Sequence, residues 1–189
     1  MPVPCLVIDV YMAPGSGITQ AIFDNHRAWV DFVWRRQCGI DIRWRFRNSQ
    51  GTPVMASLGG PVIVPNTIAC NRYDQLNFYL QSWLRYRPTG PGPFGRTSTR
   101  DIALYYVQGP LLSNGVGCSP IITPNGPAFM VTNGANGQVV AHELGHLLGL
   151  SHVNNVDNLM NPILYRTSYQ LTAQQCDIAK SSPYFQSCP

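Results

Sequence analysis

The chain has 189 residues, a formal net charge of +4 and only 12% charged residues. This length predicts one domain with a sizeable core, and the mild, dispersed positive charge disfavours nucleic-acid binding. No apolar run approaches the roughly 18 residues that a membrane span needs. The first residues, MPVPCLVIDV, lack the basic region and the cleavage site of a signal peptide.

Six cysteines are spread along the chain without a CxxC pair: Cys5, Cys38, Cys70, Cys118, Cys176 and Cys188. This spacing disfavours a cysteine-built zinc site or a thioredoxin-type redox motif. An even, dispersed set predicts up to three disulfides in an oxidising compartment, with the pairing left open. Buried free thiols in a cytosolic protein are the alternative.

The first part of the chain predicts a strand, a helix and a second strand. Cys5–Met12 is apolar and β-branched, and Ile18–Gln37 places apolar residues at helical spacing up to the glycine that follows the helix. His26 in this helix is expected to be a surface or packing residue rather than a metal ligand. Ile40–Arg47 alternates apolar residues with Asp and Arg, which predicts one buried face and three arginines in solvent. The strand–helix–strand order favours a right-handed crossover and parallel pairing.

Shorter segments follow. Thr52–Pro65 is interrupted by glycines and prolines and is interpreted as an irregular strand or hairpin. Tyr73–Tyr86 predicts a helix, Asp101–Val107 a central strand and Pro127–Thr132 a short strand. The stretch Gly109–Pro127 contains two Asn-Gly turn signals and is expected to be irregular.

The stretch VVAHELGHLLGLSH, at residues 139–152, carries the main chemical signal. Its residues are spaced as H-E-x-x-H-x-x-G-x-x-H: His142, Glu143, His146, Gly149 and His152. Side chains four positions apart share one face of a helix, so the first two imidazoles can bind one metal ion. A glycine can adopt the left-handed conformation that ends a helix and brings back the third histidine. Three protein ligands leave the fourth position of zinc open, as catalysis requires.

This ligand set predicts hydrolysis by an activated water molecule. Zinc lowers the pKa of water, and Glu143 beside it can take the proton and pass it to the leaving nitrogen. No Ser/His/Asp or Cys/His triad competes, because His26 is the one histidine outside the motif. The alternative interpretation is a structural histidine cluster without catalytic function.

The motif HELGHLLGLSH resembles the zinc site of the metzincin metallopeptidases. That clan also has a methionine in a tight turn, and Met160, eight residues after His152 in the stretch NLMNP, matches it. This spacing and the L-M-x-P pattern resemble the matrixin branch most closely. The stretch LTAQQCDIAKSS resembles the matrixin C-terminal helix, which is predicted here over Thr172–Lys180 with Thr172 as the N-cap. The resemblance implies a secreted zinc endopeptidase of a microbial type.

The chain also departs from the matrixin pattern. Val153 follows the third zinc histidine where matrixins usually have Ser or Thr. Pro162 stands where astacin-like and serralysin-like enzymes place a tyrosine, which argues against a tyrosine ligand. The chain lacks the histidines that vertebrate matrixins use for a second, structural zinc ion.

The resemblance implies an α/β (α+β) fold in a single catalytic domain over residues 1–189. It places a twisted mixed sheet with two or three helices in an upper subdomain (about 1–149) and a C-terminal helix in a loop-rich lower subdomain (about 150–189). It also implies a monomer with one zinc ion. Calcium is common in the clan, but the nine acidic residues form no recognisable calcium-binding loop.

A substrate cleft across the zinc ion is implied as well, with a strand above it that pairs with an extended peptide. The segment after the methionine turn would form its lower wall. The residues assigned to the two walls are Phe129, Met130, Val131, Thr132, Asn161, Pro162, Ile163 and Tyr165. Two alternatives to an endopeptidase stay open: a binding or toxin module on a protease-like scaffold, and a zinc hydrolase or exopeptidase with a non-standard substrate.

Overall fold

The computed structural model describes residues 3–62, 73, 81, 98–111 and 115–188. The helix predicted over Tyr73–Tyr86 lies outside these residues except for Tyr73 and Gln81, and the last part of Thr52–Pro65 and Cys70 lie outside them too. Within the described ranges, no helix is long and apolar enough to cross a membrane.

Seven strands of the described chain form one sheet. They are β1 (Val3–Met12), β2 (Asp41–Trp44), β3 (Ala56–Ser57), β4 (Ile102–Val107), β5 (Gly117–Thr123), β6 (Gly126–Thr132) and β7 (Gln186–Cys188). The main order is β2-β1-β4-β6-β5, while β3 and β7 each pair with part of β1. Pairing is parallel except for β5 with β6 and β1 with β7. The predicted parallel pairing of the first two strands is confirmed.

Helices cover one face of this sheet. They are α1 (Gln20–Val30), a π-helical turn (Asp31–Arg35), α2 (Arg36–Cys38), α3 (Gly137–Leu147) and α4 (Ala173–Lys180). The first three together replace the single predicted helix, and Gly39 ends them with φ of +66°. Thr19 caps α1, and Thr172 caps α4 in a capping box with Gln175, as the C-terminal pattern predicted.

The long segment predicted to be irregular, Gly109–Pro127, contains strand β5. This prediction is wrong, because residues 117–123 pair antiparallel with β6, which begins at Gly126 after a turn at Pro124 and Asn125. An Asn-Gly pair between two apolar runs is the strongest short signal for a hairpin. The glycine and proline within the strand, Gly117 and Pro120, weakened its alternating pattern.

The sheet is covered on both faces. Leu6, Ile8 and Val10 of β1 belong to the larger cluster, which also contains α1 and α3 residues. Tyr11 of the same strand belongs to a second cluster on the opposite face, which contains Tyr105 of β4. Where residues of one strand belong to both clusters, as in β1, both faces of that strand are buried.

Two buried carboxylates explain why one arginine is mostly withdrawn from solvent. Arg45 was predicted to lie in solvent beside Arg43, but its side chain is only 16% exposed. Its guanidinium donates to Asp9 Oδ2 at 2.6 Å and to Asp101 Oδ2 at 2.7 Å, and both carboxylates are fully buried. Alternation along one strand cannot reveal that the opposite face of the sheet is also covered.

Two described disulfides close the chain over long separations. Cys5–Cys188 joins β1 to β7, and Cys38–Cys176 joins the end of α2 to α4. Cys118 in β5 is also disulfide-bonded. The expectation of disulfides is therefore confirmed in preference to free thiols.

Candidate metal centre and cleft

Helix α3 carries the first two histidines of the motif. It ends before the turn that brings the third histidine, His152, close to them. The Asn136 side chain accepts a hydrogen bond from the Val139 amide at 3.0 Å and so caps the helix. At the other end Gly149 has φ of +96°, a conformation that residues with a Cβ rarely adopt. The Leu150 amide then donates to the Gly145 carbonyl at 3.0 Å, which turns the chain back toward the helix. The predicted function of Gly149 as the helix stop is confirmed.

Three imidazole nitrogens converge on one point. The Nε2 atoms of His142 and His146 are 3.0 Å apart, those of His146 and His152 are 3.0 Å apart, and the third separation is 3.3 Å. Ligand nitrogens about 2.0–2.1 Å from a tetrahedral ion lie roughly 3.3 Å from one another. The three side chains therefore fit a single zinc-sized ion, and they form a cluster able to hold a metal.

Backbone carbonyls orient two of these rings. His142 Nδ1 donates to the Leu159 carbonyl at 2.7 Å, and His146 Nδ1 donates to the Leu150 carbonyl at 2.8 Å. A proton on Nδ1 leaves the Nε2 lone pair free for a metal. Burial lowers the pKa of His142 to about 4 and lowers the pKa of His146 in the same direction. Both imidazoles are therefore neutral at pH 7, as metal ligands must be.

The carboxylate of Glu143 lies between α3 and strand β5. It is buried, and it faces Gly117 so closely that a Cβ on that glycine would lie 2.5 Å from Glu143 Oε1. Burial raises the pKa of Glu143 to about 8. A cation held by the neighbouring imidazoles would lower this pKa again, because opposite charge favours the ionised form.

Met160 packs against the helix that carries the first two histidines. It is fully buried in a turn in which the Asn161 amide donates to the Asn158 carbonyl at 3.1 Å. Its sulfur lies under Gly145, where a Cβ would be only 2.5 Å away. The glycine between the two helical histidines thus lets the methionine approach the helix closely.

A cleft of about 760 Å³ opens over the three histidines and Glu143. The other residues that line it are Gly115, Val116, Gly117, Cys118, Ser119, Gly134, Asn136, Val139, Pro162 and Leu164. Its upper side is formed by β5, the last strand in the order of the sheet. Its lower side is formed by Pro162 and Leu164, which follow the methionine turn.

The upper wall differs from the prediction. Phe129, Met130 and Val131 were assigned to it, but they are 0% exposed and belong to β6, which pairs with β4 on one side and β5 on the other. Thr132 is also buried. A strand with a partner on each side has no backbone groups left for a peptide. These four residues therefore do not line the cleft, and residues of β5 line it instead.

The lower wall agrees with the prediction only in part. Pro162 lines the cleft, and so does Leu164, which the sequence did not single out. Asn161 is buried and its side chain donates to the Ile163 carbonyl. Ile163 and Tyr165 are 64% and 49% exposed and do not belong to the lining. Alternate residues of this segment thus face the cleft, a pattern that spacing from Met160 alone cannot locate.

His26 takes no part in the cleft. It is buried between α1 and β4, and its Nδ1 accepts a hydrogen bond from the Tyr106 hydroxyl at 2.9 Å. Burial lowers the pKa of His26, while a hydrogen bond with the Ala135 backbone acts in the opposite direction. The prediction of a packing residue is confirmed.

Solved structures share this fold. The chain is similar to metalloproteinase-II from Bacteroides fragilis, with a TM-score of 0.64, 17% identity, 95% of this chain covered and 53% of that one. It is also similar to mature mirolysin from Tannerella forsythia in complex with a cleaved peptide, with a TM-score of 0.57, 12% identity and coverage of 95% and 92%. The chain therefore spans about half the length of the Bacteroides protein, and at these identities the likeness shows the fold. No curated protein matches the sequence significantly.

The fold is that of these solved structures, and the three histidines of the cleft form a group that could hold a metal ion. The family model Peptidase_M10, Matrixin, matches residues 12–182. The chain belongs to the matrixin family.

Proposed function

We propose that the protein is a secreted zinc endopeptidase that cleaves internal peptide bonds of protein substrates. One observation carries the proposal: three imidazole nitrogens lie 3.0–3.3 Å apart beside a buried carboxylate, in a cleft of about 760 Å³. A structural metal site has four protein ligands and is closed, whereas the described part of the chain offers three here, and they face the cleft. This contrast favours catalysis over a structural histidine cluster.

His142, His146 and His152 would hold one zinc ion through their Nε2 atoms. The ion would supply Lewis acidity, which acidifies water and polarises a carbonyl group. The Glu143 carboxylate accepts the proton of the attacking water, and the carboxylic acid so formed gives that proton to the departing amine. Because Glu143 is enclosed by Gly117 and α3, few other positions are open to its carboxylate.

The walls of the cleft support a peptide as the substrate. Strand β5 ends the sheet beside Glu143, and an extended peptide can be placed along such a strand. Val139 and Leu164 give the opposite part of the cleft an apolar surface that suits a substrate side chain. The disulfides support secretion, because such bonds persist in oxidising compartments.

A library of peptides with acetylated N-termini and amidated C-termini tests this proposal. With one equivalent of zinc, the protein should cut within these chains, and a chelator should stop cleavage until zinc is restored. The Glu143→Ala variant should bind zinc and cut none of the peptides. If the zinc-loaded protein cuts only peptides with free ends, it is an exopeptidase. If it cuts neither the end-blocked peptides nor peptides with free ends, the peptidase proposal fails.

A further inference from the structure

Gln138 is a buried polar side chain on helix α3, one turn before His142. It is only 8% exposed, and its amide nitrogen points at the segment that follows the lower wall. The acceptors are the carbonyl oxygens of Tyr165 at 3.1 Å, Ser168 at 3.3 Å and Arg166 at 3.5 Å. Two amide hydrogens thus face three carbonyls of one short loop, which ties this loop to the helix that carries the histidines.

Other hydrogen bonds also hold this loop, among them those that the Tyr169 and Gln170 amides donate to the Asp157 carbonyl. The fully buried Ser168 accepts a hydrogen bond from the Tyr165 amide at 2.9 Å and donates to the Val156 carbonyl. Further along, Gln37 binds both the Tyr169 carbonyl and the Leu171 amide. These contacts shape the loop and fix its far end. Gln138 is the contact that joins its middle to α3.

This position couples Gln138 to the cleft. Its sequence neighbour Val139 lines the cleft from the helix side, and Leu164, next to the anchored loop, lines it from below. The distance between these two apolar side chains depends on how closely the loop is held to α3. Without a donor at residue 138, the Arg166 and Ser168 carbonyls would lose this partner and the Tyr165 carbonyl would keep only the Ser168 amide, so the loop would move toward water to satisfy them.

We propose that Gln138 is a positioning residue that holds segment 162–168 against α3 and thereby limits the size of the substrate side chain that fits between Val139 and Leu164. The proposal rests on the proposed peptidase function for its substrate, but the anchoring itself is a property of the folded chain. It makes Gln138 a determinant of specificity that touches neither zinc nor the reacting atoms.

The anchoring is tested by limited digestion with trypsin, which can cut after the exposed Arg166. Two variants are compared in a Glu143→Ala background that removes the protein's own activity. Gln138→Met keeps the length of the side chain without donors, and Gln138→Glu puts an acceptor against the three carbonyls. Cleavage after Arg166 should become about tenfold faster in Gln138→Met and faster still in Gln138→Glu. Gln186→Met removes a donor to Asp101 far from the cleft and should leave this rate unchanged.

Specificity is tested with Gln138→Met in the active background. We compare pairs of peptides that carry either Ala or Leu at one position beside the scissile bond. In the variant, the ratio of the two kcat/KM values should fall about tenfold, mostly through KM, and the zinc content should stay unchanged. An unchanged rate of cutting after Arg166 would overturn the anchoring. If trypsin cuts faster after Arg166 but kcat/KM falls equally for all peptides, the effect on specificity is overturned. If the wild-type protein cuts no peptide, the peptidase proposal fails, and the trypsin comparison still decides the anchoring.

Discussion

Asn158 and Gln175 exchange two hydrogen bonds between the methionine turn and helix α4. Asn158 Nδ2 donates to Gln175 Oε1 at 2.8 Å, and Gln175 Nε2 donates to Asn158 Oδ1 at 3.1 Å. Asn158 Oδ1 also accepts from the Met160 amide at 2.9 Å. A pair of buried amides therefore sets the position of the methionine beneath the metal site relative to the C-terminal helix.

Replacing Asn158 by Ala should destabilise this part of the chain. The change removes three hydrogen bonds and leaves the buried Gln175 Nε2 without its acceptor, so the free energy of unfolding should fall by about 2–4 kcal/mol. Urea denaturation monitored by circular dichroism measures it. The exposed Asn154 is the matched control, and Asn154→Ala should stay within about 0.5 kcal/mol of the wild type. Equal effects of the two substitutions would show that the amide pair does not stabilise the turn.

Gly117→Ala should impair catalysis without removing the metal. The new Cβ would lie 2.5 Å from Glu143 Oε1, so either the carboxylate or strand β5 must move. We expect kcat/KM to fall at least about tenfold with one zinc ion still bound, since misplacement by about 1 Å can cost two orders of magnitude. The control is Gly59→Ala, because a Cβ there meets nothing within 4 Å. Full activity in Gly117→Ala would contradict the close placement of Glu143.

The ion pairs of Arg45 with two buried carboxylates predict a large difference between two arginines of one segment. Arg45→Leu leaves Asp9 and Asp101 in the interior without their cation and should lower the free energy of unfolding by about 3–5 kcal/mol. Arg43→Leu removes a surface pair with Asp41, whose contribution is about 1 kcal/mol or less. Thermal or urea unfolding of the two variants distinguishes these values. Similar losses would place both arginines in solvent, as the alternating pattern predicted.

The burial of His26 predicts a loss of stability in mild acid. Its native pKa lies below the ordinary value of 6.5, so between these two values the unfolded chain binds a proton that the native protein does not. His26 therefore contributes fully above about pH 6.5, and this contribution is lost as the pH falls toward the native pKa. The His26→Gln variant retains a polar partner for Tyr106 but does not titrate.

Unfolding free energies of both proteins, measured with a chelator from pH 8 to pH 5, test this sign. The two proteins share every other titratable group, so the difference between the two curves isolates His26. Wild type should lose stability relative to His26→Gln as the pH falls through 6.5. Parallel curves, or a wild type that gains relative stability in acid, would contradict the buried neutral imidazole.

The site was more predictable from sequence than the walls around it. Helical spacing places His142 and His146 on one face whatever the rest of the fold does, and Gly149 marks the return of His152 by its backbone freedom alone. These features depend on residues close together in the chain. Local geometry therefore determines them.

The missed features depend on residues far apart. Arg45 is buried because of Asp9 and Asp101 on other parts of the sheet, which no single strand reveals. Gln138 resembles an ordinary polar helix residue until the loop carbonyls 27–30 positions later come into contact with it. Strand β5 was missed although its hairpin turn was visible, because Gly117 and Pro120 interrupt its pattern.

The most direct test of the central claim is the paired measurement of zinc content and peptide cleavage in Glu143→Gln. This substitution keeps the size of the side chain and removes its ability to accept the proton from water. We predict one zinc ion per chain, as in the wild type, and a kcat about 10²–10⁴ times lower on an end-blocked peptide. A variant that retains one zinc ion and cuts this peptide at the wild-type rate would contradict the role of Glu143.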